Sequence, residues 1–290
     1  MQDISGLIHK IKHGLDTQVS LARLRRHRTL ADAAAGRIVL ITGASSGIGR
    51  VAAAKLGAVG ATVLLVARRA DELEQAVAEI EARGGRAVAY PCDLTDFDAL
   101  DAMAAKVLAD HGHVDILVNN AGRSIRRTLD QSYDRFHDYE RTMRLNYFAA
   151  VRLILAFAPA MRAGGDGQII NILSLANLYG GPGYAAYVAS KAALDSLSTS
   201  LQAETHTENL RFTSIYLPLV RTDMITANPV YQQATANALT PEEGGQIICD
   251  AIIDRPRRLA PVMGRVTALL DSVLPERADS IRSARFQHGM

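Results

Sequence analysis

From Arg37 onward, short apolar runs of strand length alternate with longer stretches of helical period, and this alternation leaves the chain few folds to adopt. Strands buried on both faces read as unbroken Val/Ile/Leu runs rather than as polar–apolar alternation. Such runs, separated by helices, signal repeated βαβ units and a parallel sheet. Strands are expected at 38–42, 62–67, 86–92, 114–118, 168–173 and 210–217, with a short seventh at 258–262. Helices are expected over 48–59, 71–83, 96–110, 133–162 and 184–204. Thr240-Pro241-Glu242-Glu243 opens another: a capping threonine, a proline in the first turn, and a glutamate three residues on. The expected class is α/β, a single doubly wound parallel sheet with helices on both faces, over residues 37–262. Basic helical extensions, 1–36 and 263–290, flank it.

Composition narrows the function classes. With 48% hydrophobic residues, the 290-residue chain carries too much apolar side chain for disorder to dominate. No apolar run reaches the roughly 18 residues that span a bilayer, and the N-terminus lacks the apolar core and cleavage site of a secretory leader. Two cysteines, Cys92 and Cys249, make neither a disulfide framework nor a four-cysteine zinc site. Both read as core residues, the eight histidines show no metal-ligand spacing, and a reducing, cytoplasmic setting fits. The net charge of +2 averages unlike parts. Residues 1–36 hold six Lys/Arg against three Asp/Glu, and 255–290 hold seven against three, whereas 37–254 hold 19 against 24. The acidic middle argues against nucleic acid as a partner. The basic ends suit either an anionic membrane surface or packing against other subunits.

Thr42-Gly43-Ala44-Ser45-Ser46-Gly47-Ile48-Gly49 lies between the first strand and its helix. Glycines there allow a tight turn and let a pyrophosphate approach the unpaired N–H groups of the helix start. In this strand–turn–helix context the sheet is expected to be Rossmann-type and to bind a dinucleotide. The second strand ends Leu65-Val66-Ala67-Arg68-Arg69. The acid that would bind the ribose hydroxyls of NAD is missing, and two arginines stand ready for the extra phosphate of NADP. NADP(H) is the expected cofactor; the other reading makes Arg68 and Arg69 solvated charges at a helix start. Asp93, after the third strand, is placed either to accept from the adenine amino group or to cap the next helix.

Tyr187-Val188-Ala189-Ser190-Lys191 sets a phenol and an ammonium at i and i+4 on one helix face. A free tyrosine titrates near about 10. A cation one turn away, together with an oxidised nicotinamide, brings the phenol toward working range. Ser174, just past a strand, offers a hydroxyl for a substrate oxygen, while Asn119-Asn120-Ala121-Gly122 follows the fourth strand and Asn146 falls within a long helix.

With these motifs in one chain, residues 37–262 resemble the short-chain dehydrogenase/reductase family. The resemblance implies an oxidoreductase in which Tyr187 is the acid/base, Lys191 lowers its pKa and binds the nicotinamide ribose, and Ser174 holds the substrate oxygen. It implies that Asn146 fixes the helix and a water that relays protons to Lys191. Gly43, Ser45, Ser46, Gly47, Ile48, Gly49, Arg68, Arg69, Asp93, Leu94, Asn120, Ala121, Gly122, Tyr187, Lys191, Pro218, Val220 and Thr222 are the implied cofactor contacts, with Thr222 at the carboxamide. Asn119 is expected to line the same site. A homodimer or homotetramer built on the helices at 133–162 and 184–204 is also implied. The chain departs from the family's usual Pro-Gly at Pro218-Leu219, where Pro218 aligns with the glycine and stiffens the backbone.

Residues 122–148, together with Pro218–Thr222 and Asp254–Arg258, resemble the bacterial fatty acyl-CoA reductase branch more narrowly. Arg123, Arg126 and Arg127 are then candidates for the phosphates of coenzyme A, or else pair with the acids at 130–140 and shape a subunit interface. The expected reaction is NADPH-dependent reduction of a long-chain acyl-CoA or fatty aldehyde, with Met224, Ile225 and Val230 lining an alkyl channel. The loop at 176–183 and the segment 223–239 differ from that branch. The alternatives are a ketoreductase or secondary-alcohol dehydrogenase on a bulky hydrophobic or aromatic substrate, and a catalytically silent NADPH-binding scaffold or sensor.

Overall fold

A computed structural model describes residues 28–222 and 238–287. Its centre is a seven-stranded sheet, parallel throughout: β1 (Ile38–Thr42), β2 (Thr62–Ala67), β3 (Arg86–Pro91), β4 (Ile116–Asn119), β5 (Gly167–Ser174), β6 (Leu210–Leu217) and β7 (Arg258–Leu259). The order across it is β3-β2-β1-β4-β5-β6-β7. The winding therefore reverses between β1 and β4, which opens a crevice beyond their carboxyl ends, where doubly wound sheets bind ligands. This is the Rossmann-type α/β arrangement expected from the alternation of apolar runs.

The helices are α1 (Leu30–Ala34), α2 (Gly47–Ala58), α3 (Ala70–Glu81), α4 (Phe97–His111), α5 (Phe136–Met143), α6 (Ala149–Ala163), α7 (Ala185–Glu204), α8 (Pro241–Asp254), α9 (Val262–Val273) and α10 (Pro275–Gln287). Successive strand residues point to opposite faces, so each strand feeds two cores. Val39, Ile41, Val63 and Leu65 pack with α1, α2, α3 and α8, whereas Leu40, Leu64 and Val66 pack with α4 and α6. Thr240 caps α8 as its sequence predicts, with both bonds of the capping box formed.

Two local outcomes differ from the sequence reading. The helix expected over 133–162 begins at Phe136, after a 3₁₀ turn at Asp130–Ser132, and is interrupted by a π-helical turn at Arg144–Phe148. A periodicity argument sees 133–162 as one helix because the apolar period barely shifts across a single inserted residue. Asp96, not Asp93, caps α4, its carboxylate accepting from Asp98 N and Ala99 N. Of the N-terminal extension, the described part is α1, capped by Thr29 and closed at Gly36 with φ of 75°. The remainder, residues 1–27, and the expected alkyl-channel residues Met224, Ile225 and Val230 lie outside the described residues.

Candidate active site

The crevice between β1 and β4 holds a cavity of about 640 Å³. The glycine turn forms its floor at one end. Gly43 and Gly47 adopt φ of 66° and 56°, a region that costs any residue with a Cβ. A side chain at Gly49 would place its Cβ 2.5 Å from the Gly43 carbonyl and 2.7 Å from Asn120 Nδ2, so only glycine lets α2 start here. Asn120 then binds the turn to the end of β4: its Nδ2 donates to Thr42 O at 2.9 Å and Gly43 O at 3.2 Å. Thr42 Oγ1 accepts from Asn120 N and Ala121 N, both at 3.0 Å. Two loops far apart in sequence are thus one rigid unit, with the N-terminus of α2 aimed into the cavity.

Arg68, Arg69, Asp93, Leu94 and Thr95 line the same end. Asp93 Oδ1 accepts from Thr95 N at 2.9 Å and Thr95 Oγ1 at 2.8 Å. Burial pushes this carboxyl up, but those bonds and the positive field of Arg68 and Arg123 outweigh it and hold it below the ordinary value. The two arginines are not equivalent. Arg69 occupies the capping position of α3 and pairs with Glu72 at 2.6 Å, which matches the helix-start reading for that residue.

At the other end, Ser174, Tyr187 and Lys191 line the cavity together. Ser174 ends β5 and its Oγ accepts from Ala176 N at 3.2 Å, leaving the hydroxyl proton to turn toward a substrate oxygen. Lys191 is buried, and its Nζ donates to Ile172 O at 2.8 Å. Burial alone lowers its pKa to about 8, from an ordinary 10.5. Asn146 sits in the π turn rather than on a regular helix. Its Oδ1 accepts from Arg123 N at 2.8 Å, and its Nδ2 donates to Arg123 O and Ser190 Oγ, both at 2.9 Å. The wider turn presents this amide inward, where a regular helix would carry it past the site. Gly122 packs closely against both: a Cβ there would lie 3.3 Å from Lys191 Nζ and 3.4 Å from Asn146 Oδ1.

The structure brings nearly all of the expected residues to one cavity: Gly43, Ser45, Ser46, Gly47, Ile48, Arg68, Arg69, Asp93, Leu94, Asn120, Ala121, Gly122, Ser174, Tyr187, Lys191, Pro218, Val220 and Thr222. Gly49 and Asn146 stand immediately behind its wall. Asn119 does not line it; its Nδ2 donates to Asn171 Oδ1 within the sheet, 2.8 Å away, because alternation along β4 turns it from the crevice. Tyr179 and Pro182, from the 176–183 loop expected on the substrate side, also line the cavity, as does Cys92, which is buried in the core as expected and reaches the cavity at the end of β3. Sequence reasoning passed over Tyr184, which belongs to no motif and enters from the start of α7.

The arginines after Gly122 separate as well. Arg123 lines the cavity, with its pKa lowered by burial and then by the nearby charges of Arg141 and Arg68. Arg126 stacks 6.0 Å from the rings of both Tyr184 and Phe286. Arg127 pairs with the buried Asp138 at 2.5 Å, beside Arg135 and Arg141. For Arg127, pairing with the 130–140 acids prevails, because an ion pair around a buried carboxylate holds its partner there.

A glycine-cradled helix N-terminus beside a Tyr–Lys–Ser cluster defines a dinucleotide-dependent oxidoreductase. The short-chain dehydrogenase family model matches residues 37–231, and the chain belongs to that family. An oxidoreductase of Mycobacterium tuberculosis is 51% identical over 262 residues, covering 89% of this chain and 76% of its own. The fatty acyl-CoA reductase of Acinetobacter baylyi is 49% identical over 251 residues, covering 87% of this chain and 84% of its own. The crystal structure of a metagenomic short-chain oxidoreductase in complex with NADP superposes with a TM-score of 0.66 at 35% identity, covering 78% of this chain and 94% of that one.

Proposed function

We propose that this oxidoreductase uses NADP(H) and reduces long-chain acyl-CoA or fatty aldehyde, with Tyr187 as the acid/base. The observation that carries the substrate reading is the similarity to the fatty acyl-CoA reductase, at 49% identity over most of both chains. The cavity suits the cofactor on its own terms: Gly49 cannot bear a side chain, Gly43 and Gly47 hold positive φ, and the α2 N-terminus offers unpaired N–H groups. The nicotinamide, when bound, supplies or accepts hydride. The chain's own groups do the rest. Ser174 holds the carbonyl oxygen, Tyr187 hands it a proton, and Lys191 places a cation one helical turn from the phenol. Asn146 acts as a positioning residue, tying Arg123 and Ser190 into one scaffold. Arg123 and Arg126 at the mouth are suited to the phosphates of coenzyme A. Assembly into a homodimer or homotetramer through α5–α7 is supported by the apolar side chains left exposed at Tyr133, Phe136, Phe148 and Leu155.

Monitoring NADPH oxidation against long-chain acyl-CoA, fatty aldehydes and a ketone panel tests the substrate reading. Turnover of the thioester or aldehyde is expected; activity confined to ketones or secondary alcohols overturns it in favour of a ketoreductase.

Arg68 carries the cofactor preference. It lines the adenosine end and lies in the shared field of Asp93 and Arg123, whereas Arg69 is engaged by Glu72. Removing a charge-assisted bond to a phosphate costs about 1.5–3 kcal/mol. Arg68→Ala is therefore expected to raise KM for NADPH roughly tenfold to a hundredfold and to leave KM for NADH nearly unchanged. Equal loss with both cofactors would remove Arg68 from phosphate recognition.

A further inference from the structure

The cavity wall between Ser174 and Tyr187 is made by a segment whose sequence does little to fix its shape. Gly180-Gly181-Pro182-Gly183 lies within it, with φ of 71° at Gly180 and 78° at Gly183. Ordering so glycine-rich a segment costs much backbone freedom, so its position depends on what its neighbours supply. Tyr179, Gly181, Pro182 and Tyr184 nonetheless all line the cavity. The wall is tied near both ends: Arg127 N donates to Gly183 O at 2.7 Å, and Arg282 Nη1 donates to Tyr179 O at 2.5 Å.

Arg282 reaches Tyr179 from 103 residues further along the chain. Its guanidinium pairs at the same time with Asp271 of α9, 2.6 Å away, and with Asp279 of α10. At 21% exposure these pairs escape much of the screening that makes open surface pairs weak. A planar fork of five donors can hold two carboxylates and a carbonyl together, whereas an ammonium is a point charge. The helices around it are seated on the same segment. A Cβ at Gly264 of α9 would fall 2.3 Å from Leu175 Cδ1, and one at Gly183 would lie 3.4 Å from Phe286 Cε2 of α10. Among the described residues, neither α9 nor α10 lines the cavity itself.

We propose that Arg282 is a positioning residue: without touching substrate, it fixes the 179–184 wall and thereby sets affinity for the carbonyl compound. This rests on the reading that the Ser174–Tyr187 end of the cavity takes the substrate. Ser174 is held by its register with Leu217 in the sheet and Tyr187 by α7, so the reacting end keeps its geometry when the wall between them loosens. Loss of Arg282 therefore acts on binding rather than on proton or hydride transfer.

The test compares the full-length wild type with Arg282→Ala and Arg282→Lys. Amide hydrogen exchange over 175–184 is expected to quicken in Arg282→Ala, while exchange over the glycine turn at 42–49 stays as in the wild type. With hexadecanal and NADPH, KM for the aldehyde is expected to rise severalfold while kcat and KM for NADPH hold, the signature of lost substrate binding. Arg282→Lys keeps the charge without the fork and should fall between the two. Unchanged exchange over 175–184 overturns the proposal, as does a KM for NADPH that rises in step with that for hexadecanal. Exchange that quickens equally at 42–49 also overturns it and makes Arg282 a support of the whole fold. A wild type inert toward hexadecanal instead overturns the fatty aldehyde reading, and exchange over 175–184 then decides the role of Arg282 alone.

Discussion

Tyr187→Phe is expected to lower kcat by at least about 10²–10⁴-fold, the usual contribution of a positioned proton donor. Affinity for NADPH should stay close to that of the wild type. The substitution removes one hydroxyl and keeps the ring, which lines the cavity together with Ser174 and Lys191. Ser174 keeps its bond from Ala176 N, but the phenol proposed to hand the substrate oxygen its proton is gone. Steady-state rates paired with a fluorescence titration of NADPH separate the two effects. A variant with full turnover would refute the role given to Tyr187. A chain in which neither wild type nor variant turns over any carbonyl, yet both bind NADPH, would be the silent scaffold.

Lys191→Met is expected to abolish turnover and yet stabilise the protein without cofactor. The reason lies in burial. Lys191 is buried at the cavity wall, its Nζ bonded to Ile172 O, and its pKa falls to about 8 from 10.5 in the open chain. The unfolded chain therefore binds a proton more readily than the folded one between those values, and stability rises with pH across that window. Below pH 8 the buried charge costs its full amount, on the order of 3 kcal/mol. Methionine removes that cost and fills the space, but leaves Ile172 O without this donor, a loss of about 1–2 kcal/mol. The net gain, about 1–2 kcal/mol, corresponds to a rise in Tm of a few degrees. Thermal melts of the two proteins at neutral pH and near pH 10 check the sign: the difference should shrink at the higher pH. A variant less stable at neutral pH would show that the ammonium is stabilised where it lies.

The two residues thus hold opposite places in the balance of activity and stability. Tyr187 contributes chemistry at little structural cost, since a phenol needs no proton removed in order to be buried. Lys191 is a charged group buried at the cavity wall, a cost that the proposed role beside Tyr187 and the nicotinamide ribose would account for. Gly122 lets the chain pass close to both groups: a Cβ there would press 3.3 Å from Lys191 Nζ and touch Asn146 Oδ1 at 3.4 Å.

Much of this was legible from residue order because it rests on local rules. A short β-branched apolar run such as Ile38–Thr42, closed by Gly43, reads as a strand buried on both faces, and Val39–Ile41 are so buried. The spacing of Gly43, Gly47 and Gly49 encodes a turn that admits no side chain, and Tyr187 and Lys191 share a helix face because four residues make about one turn. The Thr240 cap follows from the same rules; the convergence of Ser174, Tyr187 and Lys191 is expected only from the family resemblance, and the strand order appears first in the fold.

Contacts between distant segments escaped those rules. Spacing offers both Arg68 and Arg69 an acid about one turn on, and only the fold gives Glu72 to Arg69. Arg123 and Arg127 are separated by the buried Asp138, which stands beside Arg127 once α5 has formed. The π turn that carries Asn146 was hidden because one extra residue in a helix scarcely disturbs an apolar period. Asn119 and Asn120, adjacent in sequence, part company because a strand sends neighbours to opposite sides. The basic ends posed the same problem on a larger scale. Composition showed that charge gathers there, but only folding could show that α9 packs through Gly264 and therefore leaves its apolar side uncovered. Local spacing decides which side chains share a face; what that face meets depends on segments a hundred residues away, and their positions exist only in the packed chain.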